Sequence, residues 1–288
     1  MKILILGVSG MIGSAMYRVF SENSVWQVFG TSRSSHVNKY FYREISDKIY
    51  FNVGVDKLDL LEDILLSLNP DVVINCIGLT KHKPDVDNKF MAISINALFP
   101  HQLSKLCYFT RSRLIHISTD CVFSGSKGSY VESDESDAVD IYGKVKYLGE
   151  ISDLNSLTLR TSTIGHELET QHGLLEWFLS QNDRCIGFRN AIFSGLPNIV
   201  FAQVVRDLVI PRPEMSGLYH VGADPINKYD LLRMIADVYG KSIDIIPNES
   251  FSIDRSLNSD KFRSETGFLP PKWPKLIETM YNYQNQIF

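Results

Sequence analysis

The first half of the chain alternates between short aliphatic runs and segments in which apolar residues recur every three or four positions. Lys2–Leu6 is a continuous apolar run that ends at Gly7, and from Ile12 the period changes to that of a helix, through about Ser21. Continuous apolar runs are typical of strands buried on both faces, and the longer period is typical of amphipathic helices. The opening therefore predicts a strand, a tight loop and a helix.

The same alternation continues to about residue 160. Further strands are predicted at Val25–Thr31, Lys48–Val53, Asp71–Ile77, Arg113–Ser118 and Leu157–Thr161, and further helices at Leu58–Leu68, Lys89–Tyr108 with an interruption at Pro100, and Ile141–Ser152. Strands that alternate with helices predict an α/β fold of the Rossmann type, a doubly wound parallel sheet with right-handed crossovers. Ligands of such sheets bind at the carboxyl ends of the strands.

Beyond residue 160 the alternation weakens. Helices are predicted at Gly173–Ser180, Phe201–Ile210, Lys228–Tyr239 and from about Pro274, and strands at Cys185–Phe188, Leu218–Val221 and Ile243–Ile246. We expect a Rossmann domain over residues 1–160, to which segments near 184–213 return, and a smaller C-terminal substrate-binding lobe formed mainly by residues 161–288. The pattern of residues 36–47 is ambiguous.

Composition narrows the class of ligand. The net charge of −4 and the lack of a run of Lys or Arg give no reason to expect nucleic acid or a membrane as partner, so a small molecule is favoured. The four cysteines have no Cys-x-x-Cys spacing and are expected to be reduced thiols, and no histidine spacing suggests a metal site. The apolar start stops at Ser9 and does not resemble a signal peptide, which predicts a cytoplasmic protein.

Three glycines follow the first predicted strand and open the first predicted helix, with Gly-x-x-Gly-x-x-Gly spacing. Glycines let the chain turn tightly and let the backbone approach a pyrophosphate, whose charge a helix N-terminus stabilises. The alternative is that these glycines serve only the turn. We expect dinucleotide binding by Gly7, Ser9, Gly10, Met11, Ile12 and Gly13.

The end of the second predicted strand bears on which dinucleotide is bound. An NAD site usually has an acidic residue there, whereas this chain has Thr31, Ser32, Arg33 and Ser34. A guanidinium beside hydroxyls suits a 2'-phosphate, although a surface arginine is the alternative. NADP(H) is therefore the predicted cofactor, with NAD(H) less favoured, and contacts are expected from Ser32 and Arg33. Residues 1–160 would then form an NADP-binding domain.

A Tyr-x-x-x-Lys pattern occurs once, at Tyr142 and Lys146, which share one face of a predicted helix. Tyrosine and lysine are common residues, so the spacing alone is weak. Its position adds weight, because the helix follows the strand that carries Ser118 and Thr119. A phenol beside an ammonium group is suited to donate a proton.

Six stretches of the chain, in their order and spacing, resemble one family. They are GVSGMIG, DVVINCIG, ISTDCVFSG, YGKVKYLGE, FSGLP and NSDKF. The chain resembles extended short-chain dehydrogenase/reductases, and among them it is most similar to the dTDP-4-dehydrorhamnose reductase family. The resemblance implies an NADPH-dependent oxidoreductase that reduces the keto group of a nucleotide-linked 4-keto-deoxysugar, for cell-surface polysaccharide precursors. A homodimer is compatible with it.

The resemblance also implies roles for individual residues. Tyr142 would give a proton to the carbonyl oxygen, and Lys146 would lower the pKa of Tyr142 and hold the nicotinamide ribose. Thr119 would hydrogen-bond and orient the carbonyl. Further cofactor contacts are implied for Asp59, Cys76, Ile77 and Gly78, and substrate contacts for Lys81, His82, Asp120, Cys121, Thr161, Arg189, Asn190 and Phe193. The alternative is that each of these residues serves packing or solvation.

Cys121 departs from the family pattern, which usually has tyrosine there. Related dehydratases carry glutamate at this position, and its absence argues against elimination. Epimerases usually recycle bound NAD, so Arg33 favours net reduction over epimerisation. Two alternatives stay open at this point, a nucleotide-sugar epimerase and a non-catalytic cofactor-binding subunit of the same fold, such as the regulatory subunit of methionine adenosyltransferase.

Overall fold

The computed structural model of the protein describes residues 1–80 and 88–285, so the predicted substrate contacts Lys81 and His82 lie outside the described residues. Seven parallel strands form the main sheet. They are β1 Lys2–Leu6, β2 Gln27–Thr31, β3 Ile49–Tyr50, β4 Val72–Asn75, β5 Arg113–Thr119, β6 Ser156–Thr161 and β10 Gly217–His220. Their spatial order is β3-β2-β1-β4-β5-β6-β10, which confirms the predicted Rossmann-type sheet. The order reverses between β1 and β4, where such sheets bind their ligands.

Eleven α-helices occur in the described residues. They are α1 Met11–Ser21, α2 Arg43–Ser46, α3 Leu58–Leu68, α4 Lys89–Ile93, α5 Phe99–Phe109, α6 Ile141–Leu148, α7 Leu174–Ser180, α8 Asn198–Val204, α9 Lys228–Tyr239, α10 Asp260–Thr266 and α11 Trp273–Asn285. The ambiguous stretch of residues 36–47 holds most of a 3₁₀-helix, Ser35–Tyr40, followed by α2. No helix among the described residues is long and apolar enough to cross a bilayer.

The main sheet is buried on both faces, as its continuous apolar strands predict. Along β1, Ile3 and Ile5 pack into one core with α1, α8 and α9, while Leu4 and Leu6 pack into a second core with α3 and α5. Alternate side chains of a strand point to opposite faces, so the run Ile3–Leu6 supplies both cores. This packing fixes the strand ends at which Gly7 and the other loop residues begin.

The predicted interruption at Pro100 takes the form of a wider turn rather than a break. The π-helical segment Ser94–Leu98 joins α4 to α5 in one continuous helix. Proline has no N–H, so Pro100 leaves the carbonyl of Asn96 without its usual helical partner. The end of α6 approaches this carbonyl so closely that a Cβ at Gly149 would collide with it. The helix after β4 and the helix that carries Tyr142 are therefore tightly packed together.

Two smaller sheets lie outside the main one. Strands β8 Arg184–Phe193, β11 Ile226–Asn227 and β12 Asp244–Asp254 form a sheet in the order β11-β8-β12, and β7 Thr163–Ile164 pairs with β9 Leu196–Pro197. The strand predicted at Cys185–Phe188 thus lies in a smaller sheet, not in the main one. Its residues alternate between buried and exposed, which is typical of a sheet covered on one face. Helix α8 packs against α1 and α11.

Candidate active site

The three glycines of the loop between β1 and α1 have different structural roles. Gly7 has φ of 83°, which favours glycine, and its N–H donates to the Thr31 carbonyl at 3.1 Å. A Cβ at Gly13 would collide with the Gly7 carbonyl oxygen, so helix and strand pack closely only with glycine there. A Cβ at Gly10 would meet only the Gly7 oxygen, at an ordinary 3.5 Å. The fold does not itself require Gly10, and the backbone there is open to a ligand.

The start of α1 suits an anion. Gly10 is its N-cap and offers no side chain, and the first turn holds no acidic residue. The first N–H groups of the helix therefore keep their partial positive charge. Ser9 and Gly10 are exposed and Met11 and Ile12 are half-buried, as expected of residues that line a crevice. These features fit the phosphates of a dinucleotide.

The turn after β2 presents Arg33 to solvent. The buried Ser32 hydroxyl donates to the Ser34 carbonyl at 2.9 Å and accepts from the Ser34 N–H at 3.2 Å, so Ser32 shapes the turn. Arg33 is exposed and makes no hydrogen bond or ion pair with the residues that the structure describes. Its guanidinium is available to a phosphate at the edge of the sheet.

Asp59 lies exposed in the first turn of α3, farther along the chain than the end of β3. Next to Ser32 the structure instead places Val53, whose N–H donates to the Ser32 carbonyl at 3.1 Å. Val53 follows Asn52, which has φ of 61°. Neither residue belongs to a motif of the sequence, and their position just after the third strand is the signal that points to them.

The end of β4 is fixed by two buried amide side chains. Asn75 accepts from the Ile77 N–H at 3.0 Å, and Asn96 binds both the N–H and the carbonyl of Leu79, at 2.9 and 2.8 Å. This holds the predicted cofactor contacts Cys76, Ile77 and Gly78, all half-buried, in one extended stretch beside Gly7. Burial raises the pKa of the Cys76 thiol to about 12, so the thiol is uncharged.

Thr119 and Tyr142 are brought together by the close approach of α6 to the end of β5. The Thr119 hydroxyl lies near enough to the Tyr142 phenol to lower its pKa by hydrogen bonding. The same hydroxyl donates to Asp120 Oδ1 at 3.1 Å and accepts from the Cys121 N–H at 3.1 Å. Asp140 caps α6 by accepting from the Gly143 N–H at 2.7 Å. A Cβ at Gly143 would collide with the Cys121 carbonyl oxygen, so this approach requires glycine.

The prediction that Lys146 lowers the pKa of Tyr142 is not supported. Burial raises the pKa of Tyr142, the nearby Cys121, Asp120 and Asp140 raise it further, and hydrogen bonding by Thr119 lowers it. Lys146 instead donates from Nζ to the Ile117 carbonyl of β5 at 2.8 Å. The two residues share a helix face, but the lysine side chain turns toward the strand. Tyr142 is therefore held as a neutral phenol.

Lys146 is a buried cation with a 5% exposed side chain. Burial lowers its pKa to about 8, and Glu150 and Cys76 oppose this effect. The ammonium form still dominates near neutral pH. A buried ammonium at the edge of the crevice is suited to bind hydroxyl oxygens of a ligand.

Two of the predicted substrate contacts lie beside Tyr142. Asp120 is half-buried and Cys121 is buried in the 3₁₀ turn Asp120–Val122 that follows β5. Arg255, on the loop after β12, donates from Nη1 to the Cys121 sulfur at 3.6 Å and from Nε to the Phe123 carbonyl at 2.7 Å. Arg255 was not among the predicted site residues. Its position three residues before the NSDKF stretch is the sequence feature that points to it.

The other predicted substrate contacts have partners elsewhere. Arg189 lies 4.6 Å from the centre of the Tyr229 ring, and the Asn190 amide donates to the Glu249 carbonyl at 3.1 Å. The buried Thr161 hydroxyl donates to the Ser162 carbonyl at 3.2 Å. Phe193 is packed in the main core, 5.6 Å from the Trp273 ring, so the substrate contact predicted for it is not supported.

Known proteins with similar sequence and fold bear on this site. Residues 1–176 match the family described as RmlD substrate binding domain. The chain is 25% identical to dTDP-4-dehydrorhamnose reductase of Aggregatibacter actinomycetemcomitans, over 98% of this chain and 99% of that protein. It is 24% identical to methionine adenosyltransferase 2 subunit beta of Xenopus tropicalis, over 83% of this chain and 72% of that protein.

Solved structures agree with the fold. A dTDP-4-dehydrorhamnose reductase of Clostridium acetobutylicum superposes with a TM-score of 0.82 at 21% identity, covering 99% of this chain and 100% of that one. The dTDP-4-dehydrorhamnose reductase of Bacillus anthracis in complex with NADP gives 0.78 at 17% identity, covering 98% of each chain. Because the family match covers more than half of its length, the chain belongs to the RmlD substrate binding domain family.

Proposed function

We propose that the protein is an oxidoreductase that uses NADPH to reduce the keto group of a nucleotide-linked 4-keto-deoxysugar, as a dTDP-4-dehydrorhamnose reductase does. The observation that carries the proposal is the neutral phenol of Tyr142 beside the Thr119 hydroxyl, which lowers its pKa, with the buried Lys146 on the same helix. Thr119 lies at the carboxyl end of β5, and the glycine loop follows the carboxyl end of β1 in the same parallel sheet. A sugar nucleotide of a polysaccharide precursor pathway is the substrate class.

The residues present fit NADPH. The open backbone at Gly10 and the uncapped start of α1 would hold the diphosphate, and the unpaired guanidinium of Arg33 would bind the 2'-phosphate. Bound NADPH supplies a hydride to the carbonyl carbon. A related reductase with the same fold has been solved with NADP, which supports this choice of cofactor over NAD(H).

The protein's own residues supply the proton. Reduction of a ketone adds one hydride at carbon and one proton at oxygen, and Tyr142 carries that proton because burial keeps its phenol neutral. Thr119 orients the carbonyl oxygen toward the phenol. As the proton leaves, the Thr119 hydroxyl, which lowers the pKa of Tyr142, stabilises the negative charge left on the phenol. The Lys146 ammonium, held at the Ile117 carbonyl, would hold a hydroxyl of the nicotinamide ribose. No metal is needed for these steps.

The division of labour along the chain is part of the same proposal. Residues 1–160 form the NADP-binding domain, and residues 161–288 form mainly the substrate lobe. All four cysteines are free thiols in the structure, which fits a reducing compartment such as the cytoplasm. The homodimer allowed by the family resemblance stays a prediction.

Methionine adenosyltransferase 2 subunit beta, a relative in several vertebrates at 24–26% identity, favours a second candidate, a regulatory subunit that binds the cofactor without turnover. A nucleotide-sugar epimerase is the other alternative, since an epimerase of Campylobacter jejuni shares the fold with a TM-score of 0.77 at 12% identity. The Thr119, Tyr142 and Lys146 set supports an enzyme over the first, and Arg33 supports net reduction over the second.

The test is a screen of TDP-, UDP-, GDP- and CDP-linked 4-keto sugars for stoichiometric loss of NADPH absorbance. A reductase consumes one NADPH for each sugar reduced, whereas an epimerase converts its substrate without net consumption. A regulatory subunit binds NADPH and consumes none with any sugar. Conversion without NADPH loss, or binding without conversion, contradicts the proposal.

A further inference from the structure

A buried ion pair lies close to the active-site lysine. Arg160 donates to Glu150 through Nε at 2.8 Å and through Nη2 at 2.7 Å, and the two side chains are only 2% and 11% exposed. Taking two charges out of water carries a desolvation cost, so such pairs often add little stability over apolar residues of the same size. The pair therefore calls for an explanation other than packing.

Glu150 ties together three elements of the active site. It also accepts from the Ser118 hydroxyl at 2.6 Å, and Ser118 and Arg160 are directly paired residues of β5 and β6. Glu150 follows the end of α6 in a turn, four residues after Lys146, with its N–H donating to the Tyr147 carbonyl at 3.1 Å. Its carboxylate thus fixes the end of α6 against the residue that follows Ile117, the acceptor for Lys146.

Arg160 is held from its other side as well. Its Nη1 lies 3.2 Å from His220 Nε2, and His220 Nδ1 lies 3.0 Å from the Tyr130 carbonyl. Arginine only donates, so Nε2 accepts and Nδ1 carries the single proton of the ring. Burial, with Arg160 beside it, lowers the pKa of His220 to about 3, so the histidine stays neutral. Among the described residues, Glu150 is the acidic residue that pairs with Arg160.

The charge of Glu150 acts on the ammonium of Lys146 and raises its pKa, without a direct bond between the two side chains. The buried Cys76 thiol is uncharged at neutral pH, and the pKa of the buried His116 on β5 is lowered well below its usual value by burial and by Lys146 itself. Among the described residues, Glu150 is the carboxylate that favours the Lys146 ammonium.

Resting on the function proposed above, we propose that Glu150 is a positioning residue, held by Ser118 and Arg160, whose carboxylate keeps the Lys146 ammonium in place at the edge of the active site. Glu150 itself touches neither substrate nor cofactor. Its effect on ketone reduction passes through Lys146.

The test follows the charge of Lys146 directly. Lysine labelled with ¹³C at Cε is incorporated into the protein, and the Lys146 signal is assigned by its disappearance in Lys146→Met. In Glu150→Gln we expect its titration to move to lower pH, because the opposing carboxylate is gone. In Glu132→Gln, the matched control, the amide replaces a carboxylate that accepts from the backbone N–H of His220 at 2.8 Å, and we expect the Lys146 titration not to move.

Turnover gives a second readout. We expect Glu150→Gln to lower kcat for keto-sugar reduction by about tenfold near neutral pH. Glu150→Asp, which keeps the charge, is expected to recover part of the loss. Glu150→Gln leaves the Arg160 guanidinium buried without a counter-charge, which is strongly destabilising. If it does not fold, the double variant Glu150→Gln, Arg160→Met removes both charges and is expected to move the Lys146 titration in the same direction.

A purely structural role lowers the melting temperature of these variants without moving the Lys146 titration, and that result in a folded variant overturns the proposal. The titration needs no substrate. If it moves as expected but the protein reduces no keto sugar, the proposed function fails and the positioning of Lys146 by Glu150 stands.

Discussion

Replacing Lys146 by methionine is expected to stabilise the folded protein. Burial lowers the Lys146 pKa from 10.5 to about 8, a difference of about 2.5 units. At about 1.4 kcal/mol per unit this corresponds to about 3 kcal/mol by which the fold disfavours the ammonium. Methionine has a similar shape without the charge but loses the hydrogen bond to the Ile117 carbonyl, worth about 1 kcal/mol. The expected net gain in the free energy of unfolding at pH 7 is about 2 kcal/mol.

The pH dependence of this gain has a definite sign. Below pH 8 Lys146 is charged in both the folded and the unfolded protein, so the full cost of burying the ammonium is present. Between pH 8 and 10.5 the folded protein loses the proton first, and the cost falls. Above pH 10.5 the amine is neutral in both states. The advantage of Lys146→Met should therefore shrink as pH rises through this window.

Urea unfolding at a series of pH values measures the gain directly. Lys144→Met, at an exposed lysine of the same helix, is the matched control and should change the free energy of unfolding little. Two results would refute the reasoning: Lys146→Met no more stable than the wild type at pH 7, or an advantage that does not shrink as pH rises. Either would mean that burying the Lys146 ammonium does not destabilise the fold.

Other substitutions test the cofactor site. Gly13→Ala should destabilise the fold by about 1–3 kcal/mol in thermal unfolding, because its Cβ collides with the Gly7 carbonyl, while Gly10→Ala should fold normally and weaken NADPH binding in a fluorescence titration. Loss of stability in both, or in neither, contradicts the separate roles of the two glycines. Arg33→Ala should weaken NADPH binding by about 10- to 100-fold and leave NADH binding unchanged, and equal effects on both would remove Arg33 from the 2'-phosphate site.

Much of the fold could be predicted because single residues carry strong local signals. The apolar run of β1 ends at a glycine with positive φ, and the helix period begins soon afterwards, so strand, loop and helix follow from local preferences. Strand β8 was assigned to the wrong sheet because strand membership depends on pairing with β11 and β12, which are distant in sequence. Its alternation of buried and exposed residues was the available sign.

The site could be predicted only in part, for a similar reason. Spacing placed Tyr142 and Lys146 on one helix face, but it does not show that the Lys146 side chain reaches the Ile117 carbonyl. Arg255 meets Cys121 from a loop far along the chain, and no local pattern contains that contact. Phe193 lies three residues after the polar pair Arg189 and Asn190 and begins the FSGLP stretch, which suggested a pocket, whereas the tertiary fold packs it in the core. The positions of the Lys146, Arg255 and Phe193 side chains all depend on contacts between elements that are distant in sequence.

The central claim is that the Tyr142 phenol donates the proton. The rate of keto-sugar reduction by the Tyr142→Phe variant tests it most directly. Tyr147→Phe, on the exposed side of the same helix, is the matched control. We expect Tyr142→Phe to bind NADPH normally and to lose at least about 100-fold in kcat, while Tyr147→Phe retains wild-type activity. Tyr142→Phe that reduces the sugar at the wild-type rate would contradict the mechanism.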